Sequence, residues 1–178
     1  KEIDLGSRAN STIPSSSSDV TLQADGFQWM NNPPNMATSG QVTIQPNSDS
    51  FPGQYNMVMD WNSNGQIMSG LTIGKPGNAG DINYSNNLEV AGFAKFYGGA
   101  VYINGNLTSS ADGDILIKTI TDANTDLVIE TGKVITKSAG TGTLTLQAHG
   151  RVQNRGTIQA TGSGVLNVVM WSDFDDSN

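Results

Sequence analysis

The chain carries one histidine, His149, and no cysteine. A lone imidazole cannot build a histidine metal site, and no Ser-His-Asp order surrounds it. It follows Leu144-Thr145-Leu146 and is expected to be a surface turn residue. The densest carboxylates are Asp173, Asp175 and Asp176. Clustered acids serve as glycosidase acid and base or as calcium ligands. Calcium loops place a glycine at the sharp turn and ligands in regular alternation, and this run completes neither. These aspartates are therefore weak calcium candidates, and a solvated acidic end is expected instead, with no Lys or Arg near them in sequence. Asp122, Asp126 and Glu130 form a thinner acidic group with the same expectation. No catalytic residue, metal or cofactor is expected, and the chain reads as a non-enzyme.

Aromatic rings are the other candidates for chemistry. Phe27, Trp29, Tyr55, Trp61, Phe93, Phe96 and Tyr97 crowd the first half. Exposed rings stack on sugars or fill protein pockets; buried ones would seal wide turns of the fold. The ligand-binding candidates are Trp29, Tyr55, Trp61 and Tyr97, so any contact is expected within residues 27–97. Lys137 and Gln147 are expected to be outward residues of a regular stalk. Asn10, Asn83 and Asn106 begin Asn-x-Ser/Thr sequons, which are expected to arise by chance. Thr119-Ile120-Thr121 and Thr143-Leu144-Thr145 are too few for an ice-binding threonine ladder.

Composition narrows the partners. Hydrophobic residues make up 36% of 178 and charged residues 14%, the latter well under the usual quarter or so. Net charge is −7, with nine Lys and Arg spread thinly. Nucleic acid and anionic membrane surfaces need a basic footprint and are not expected partners. Without cysteine there is no disulfide framework or zinc–thiolate site. No apolar run reaches the roughly 18 residues of a spanning helix. The opening Lys1-Glu2-Ile3-Asp4 suggests a mature or excised fragment.

The elements that must position these residues are strands. Gly, Pro or Asn interrupts nearly every window long enough for a helix. Alternating phrases recur instead, among them Val42-Thr43-Ile44, Leu71-Thr72-Ile73, Val101-Tyr102-Ile103, Ile115-Leu116-Ile117, Leu127-Val128-Ile129 and Leu144-Thr145-Leu146. From Leu22 to Ile44 is 22 residues, from Ile44 to Ile73 is 29, from Ile73 to Ile103 is 30, and from Leu146 to Val168 is 22. Periods of this size indicate a solenoid. The alternative is an antiparallel sandwich, which would show hairpins every 8 to 12 residues or so. The expected fold is all-β, a parallel β-helix with insertions in its N-terminal half. Ile103, Ile117, Ile129, Leu146 and Val168 are expected to stack inward. Asn64-Gly65 and Asn104-Gly105 are expected to turn with positive φ. Residues 1–18 read as a flexible segment. Residues 19–178 read as one domain: irregular rungs over 19–98 with five of the six prolines, regular rungs over 99–170, and an acidic end over 171–178.

Four phrases carry a resemblance. They are Gly70-Leu71-Thr72-Ile73-Gly74-Lys75-Pro76-Gly77-Asn78, then Tyr97-Gly98-Gly99-Ala100-Val101-Tyr102-Ile103-Asn104-Gly105-Asn106-Leu107-Thr108, then Thr131-Gly132-Lys133-Val134-Ile135-Thr136, and Leu166-Asn167-Val168-Val169-Met170-Trp171-Ser172-Asp173. Over roughly residues 40–178 the chain resembles filamentous haemagglutinin-like exoproteins, large adhesins exported by two-partner secretion and related routes. The resemblance implies a right-handed parallel β-helix, a secreted or cell-surface location, and a role in adhesion, aggregation or biofilm. The family's N-terminal secretion domain carries Asn-Pro-Asn signatures; Asn31-Asn32-Pro33-Pro34-Asn35 does not match, so an internal stalk is implied rather than the export signal. The expected function is a structural, adhesive module whose partner is a glycan or protein on a host or neighbouring cell, with end-to-end self-association. The alternative is a carbohydrate-active β-helix enzyme, a lyase or hydrolase.

Overall fold

The computed structural model describes residues 2–4, 13–28, 36–57, 65–120 and 126–172. These residues form strands, turns and bends and contain no helix. The first strands are β1 (Glu2–Asp4), β2 (Ile13–Ser16), β3 (Val20–Gln23), β4 (Gly26–Gln28), β5 (Met36–Thr38) and β6 (Gln41–Gln45). Then come β7 (Tyr55–Met57), β8 (Met68–Ile73), β9 (Ile82–Tyr84), β10 (Leu88–Gly98), β11 (Val101–Ile103), β12 (Leu107–Ser109) and β13 (Ile115–Thr119). The last are β14 (Leu127–Ile129), β15 (Val134–Lys137), β16 (Thr141–Ala148), β17 (Val152–Asn154), β18 (Thr157–Ala160) and β19 (Val165–Ser172).

Every pairing among the described residues is parallel, and each strand pairs with one from a neighbouring turn. This is a β-solenoid, and the hairpins of an antiparallel sandwich do not occur among the described residues. One face, sheet I, stacks β3, β6, β8, β10, β13, β16 and β19 in that order. A second, sheet II, stacks the start of β10 with β12, β15 and β18. A third, sheet III, stacks β7, β9, β11, β14 and β17. Each turn visits sheet III, then II, then I, as in β11, β12, β13. Strand β10 is long enough to round the corner between II and I, with a bulge between Val90 and Phe93 where it pairs with β8.

Alternation places the core. In sheet I the inward column runs Leu22, Ile44, Ile73, Phe96, Ile117, Leu146, Met170. Ile44 through Leu146 in this column are completely buried. Each such side chain contributes about 1.5–3 kcal/mol through burial, and no single turn could supply it alone.

The register corrects two of the sequence spacings. Ile73 stacks on Phe96, not on Ile103, which belongs to sheet III beside Tyr84 and Ile129. Leu146 stacks on Met170, whereas Val168 sits over Leu144. The cause is chemical: all three faces use the same β-branched alternating phrase, so a repeat counted by phrase slips from one face to the next. Ile103, Ile117, Ile129 and Leu146 do point inward and are buried. Val168 occupies an inward position yet is 44% exposed, because β19 pairs with β16 on one side only. Gly65 has the expected positive φ, at 69°. Gly105 does not; it is glycine because a Cβ there would come within 1.8 Å of the Asn86 carbonyl oxygen of the adjacent turn.

At the corners the backbone leaves the ladder, and Asp or Asn side chains replace the missing carbonyls. The Gln41, Ala100, Thr141 and Thr143 N–H groups donate to Asp19, Asp81, Asp112 and Asp114, each over 2.8 Å and each from the turn above. The Ser48 N–H donates to Asp25 in the same way over 2.6 Å. This Ser48 amide, aided by its hydroxyl, holds the Asp25 carboxyl down at about 2. The Thr141 amide and hydroxyl lower Asp112 likewise.

Lys137 is the second correction of substance. It is not an outward stalk residue but is completely buried at the corner between sheets II and I. It pairs with Ser109, an inward position, so alternation carries its side chain inside. The ammonium donates to Ser109 Oγ at 2.9 Å, to the Gly113 carbonyl at 2.9 Å and to the Ala111 carbonyl. Its three donors thus bind the corner loop of the turn below. Burial lowers its pKa, against the opposing pull of Asp112 and Asp114.

Candidate binding face

The outer side of sheet I carries a concave surface that includes one of the sequence candidates, Tyr97. Register places Tyr97, Lys118, Gln147 and Trp171 in one outward row, each stacked on the next along the solenoid axis. Strands lie about 4.8 Å apart, so Tyr97 and Trp171 bracket the row over about 14 Å. A pocket of about 500 Å³ opens over its first three members. Leu116, Ile120 and Thr145 complete its sheet side, and Pro76 and Gly77 its wall. Among the described residues no carboxylate lines it. Trp171 is 53% exposed and Tyr97 half-buried, so both rings keep reachable surface.

Two local features set Tyr97 in place. Asn78 is completely buried at the corner between sheets I and III. Its Oδ1 accepts the Phe51 N–H at 2.9 Å, and its Nδ2 donates to the Tyr97 carbonyl at 2.7 Å and the Gly80 carbonyl at 3.0 Å. One side chain therefore ties the turn below to the turn above. Gly74 turns under Tyr97 with φ +78°, and a Cβ there would stand 2.1 Å from the Tyr97 carbonyl oxygen. Only glycine meets both demands.

The four aromatic candidates meet different fates. Trp29 and Trp61 lie outside the described residues, as do the aspartates Asp173, Asp175 and Asp176. Tyr55 is corrected from a binding ring to a core residue, with 5% exposure. It faces inward beside Ile82, stacks on Phe51 with centroids 4.9 Å apart, and meets Phe27 edge-on at 5.5 Å. Its hydroxyl is buried with no hydrogen-bond partner, and burial raises its pKa. Of the two described candidates, Tyr97 is the one whose ring keeps exposed surface. Phe96 is core, and Phe93 lies half-buried under the Lys95 ammonium at 4.9 Å.

Two further groups are brought together on sheet III. Gln54 and Asn83 donate to Asn56 Oδ1, both at 2.9 Å, and Asn104 donates to Asn83 Oδ1 at 2.7 Å, an amide ladder across turns. The sequon residue Asn83 is thus engaged, as is Asn106, which accepts the Val134 N–H at 2.9 Å. Above the ladder, Tyr102 sits among Asp81, Asp126 and Glu130; burial first, then these three charges, raises its pKa. Arg151 binds Asp126 through Nε at 3.1 Å and Nη2 at 3.0 Å, and Gln153 adds a third bond at 2.7 Å. Arg155 pairs with Glu130 at 3.6 Å. Asp126 and Glu130, read from the sequence as solvated, therefore meet arginines one turn away, and Asp122 lies outside the described residues. Among the described residues no group of three or more His, Asp or Glu could hold a metal ion. His149 is half-buried in the turn after β16, its N–H donating to Thr119 Oγ1 at 3.0 Å.

Sequence reasoning missed Leu116, Lys118 and Gln147 as neighbours of Tyr97, since 21 and then 29 residues separate the stacked positions. A signal existed: the outward slots of aligned phrases hold Tyr97, Lys118, Gln147 and Trp171, which only the correct register reveals. No protein-family model, curated protein or solved structure matches the chain.

Proposed function

We propose that this chain is a stalk module of a large secreted or cell-surface adhesin: a rigid β-solenoid that binds a glycan or protein of a host or neighbouring cell on the outer face of sheet I. The observation that carries this reading is the Tyr97 pocket, a hollow lined by apolar side chains together with Lys118, Thr145 and Gln147. A continuous parallel sheet holds the row rigid, so little ordering entropy is lost on binding. Such recognition needs no catalytic group. The resemblance to filamentous haemagglutinin-like exoproteins supports the adhesive role.

The test is a glycan array and a cell-binding assay with the purified chain and its Tyr97→Ala variant. Binding that weakens in the variant supports the reading; no binding to any glycan or cell would leave a bare spacer. The enzymatic alternative draws on one observation, the Asp126 and Glu130 carboxylates beside Arg151 and Arg155. Both acids are engaged in ion pairs that join adjacent turns, which favours a structural use. Release of reducing ends or unsaturated products from acidic polysaccharides, abolished by Asp126→Asn, would establish the alternative instead.

A further inference from the structure

We infer that the last turn of the solenoid is a docking surface for the first turn of a second copy of this chain, so that copies stack head to tail into a longer rod. The inference does not depend on the reading of sheet I as a binding face. Three observations carry it.

First, the last turn is apolar and exposed. Among the described residues β17 pairs with β14 alone, β18 with β15 alone and β19 with β16 alone. All three sheets therefore end in one turn, and such edges are templates for further strands. Val168 and Met170 hold inward positions there, yet they are 44% and 46% exposed, and Val165 is 54% exposed. Earlier members of the same inward column, Ile44 through Leu146, are completely buried. Second, the first turn matches it. The chain opens on β1, β2 and β3, and among the described residues these pair only with β4, β5 and β6 of the next turn. Strand lengths correspond: three residues in β1 and in β17, and four in β2 and in β18. Strand β3, with four residues, fits within the eight of β19. With Leu22 of the second copy set over Met170, Val20 falls over Val168, Thr21 over Val169 and Gln23 over Trp171. Apolar residues then meet inside and the alternation runs unbroken through the joint. Val20 and Leu22, both half-buried, lose their remaining exposure.

Third, the joint continues an interface that the molecule already makes between its own turns. Every pairing among the described residues is parallel, and stacking by translation along the axis reverses no strand. Two last turns meeting face to face would instead set their strands antiparallel, a different hydrogen-bond pattern from that of the rod. A head-to-tail contact uses two different surfaces and leaves a new last turn free at each step. It therefore grows without closing.

The experiment is sedimentation velocity of the whole chain from dilute to concentrated solution. The expected result is a mean mass that rises with concentration and passes the dimer. Val168→Glu and Met170→Glu, each placing a charge in the joint, should hold the chain monomeric. At dilution, where the last turn is bare, both should melt close to the parent, which separates lost docking from lost fold. Lys95→Gln, on the exposed middle of sheet I, should leave association unchanged. The Val168→Glu variant keeps its first turn, so mixing it with the parent should cap growing rods and lower their mean mass. A mass that stops at the dimer and is not lowered by the capping variant would assign a face-to-face pair and refute head-to-tail stacking. Growth that survives Val168→Glu and Met170→Glu, or is lost in Lys95→Gln, would place the contact on another surface. A monomer at every concentration would remove the inference altogether.

Discussion

Asn78→Ala is the sharpest probe of how the fold holds Tyr97 on the outer side of sheet I. The substitution removes an amide that accepts from Phe51 N–H and donates to the Tyr97 carbonyl, both within a completely buried corner. The Gly80 carbonyl keeps a second partner, the Gly99 N–H at 2.9 Å, so its loss is partly covered. Three main-chain groups, the Phe51 and Gly80 N–H and the Tyr97 carbonyl, lose their Asn78 partner, at about 1–3 kcal/mol each for the groups left unpaired. The expected destabilisation is then about 3–5 kcal/mol, with a small cavity adding to it. For a chain of this size that corresponds to a fall in melting temperature of roughly 10 °C. Urea unfolding followed by far-UV circular dichroism would read it as a drop in midpoint at unchanged slope. Asn78→Asp is the informative companion: its carboxylate still accepts from Phe51 but cannot donate to Tyr97, and it buries a charge. It should be at least as damaging as alanine. A loss below about 0.5 kcal/mol in Asn78→Ala, the range of ordinary surface changes, would refute the corner-tie argument.

Three more outcomes follow from the same geometry. Leu146→Asp should cost several kcal/mol because its charge would be fully buried, while Val168→Asp, one turn further on over Leu144 and 44% exposed, should melt close to the parent; equal losses in the two would show that the last turn is covered. Gly74→Ala should unfold at markedly lower urea than Gly77→Ala: both have positive φ, but only at Gly74 would a Cβ strike the next turn. Acid should weaken the fold through Asp25 and Asp112. Their pKa values are lowered in the folded state, to about 2 for Asp25. The unfolded chain therefore binds more protons between the ordinary carboxyl value and the folded one, and the stability these groups contribute is present above about pH 4 and lost as pH falls toward 2. Thermal melts from pH 5 to 2 should show that decline, and Asp25→Asn should flatten part of it.

Much of the fold was legible in the residues themselves. Breakers in nearly every helix-length window and alternating Val, Ile, Leu and Thr phrases determined an all-β solenoid, and the period from Leu22 through Ile44 to Ile73 is the true stacking of sheet I. Local alternation suffices there because burying one face of a strand is a local demand. The tertiary structure decided everything that depends on register between turns. Three faces use one phrase, so the sequence cannot say that Ile73 meets Phe96 and not Ile103. Parity of position, not residue type, puts the Lys137 ammonium among carbonyls inside the corner and sends Tyr55 into the core. The row of Tyr97, Lys118, Gln147 and Trp171 exists only once turns of unequal length are aligned, because the stacking that creates it joins residues 21 to 29 positions apart through backbone hydrogen bonds that are blind to side-chain identity.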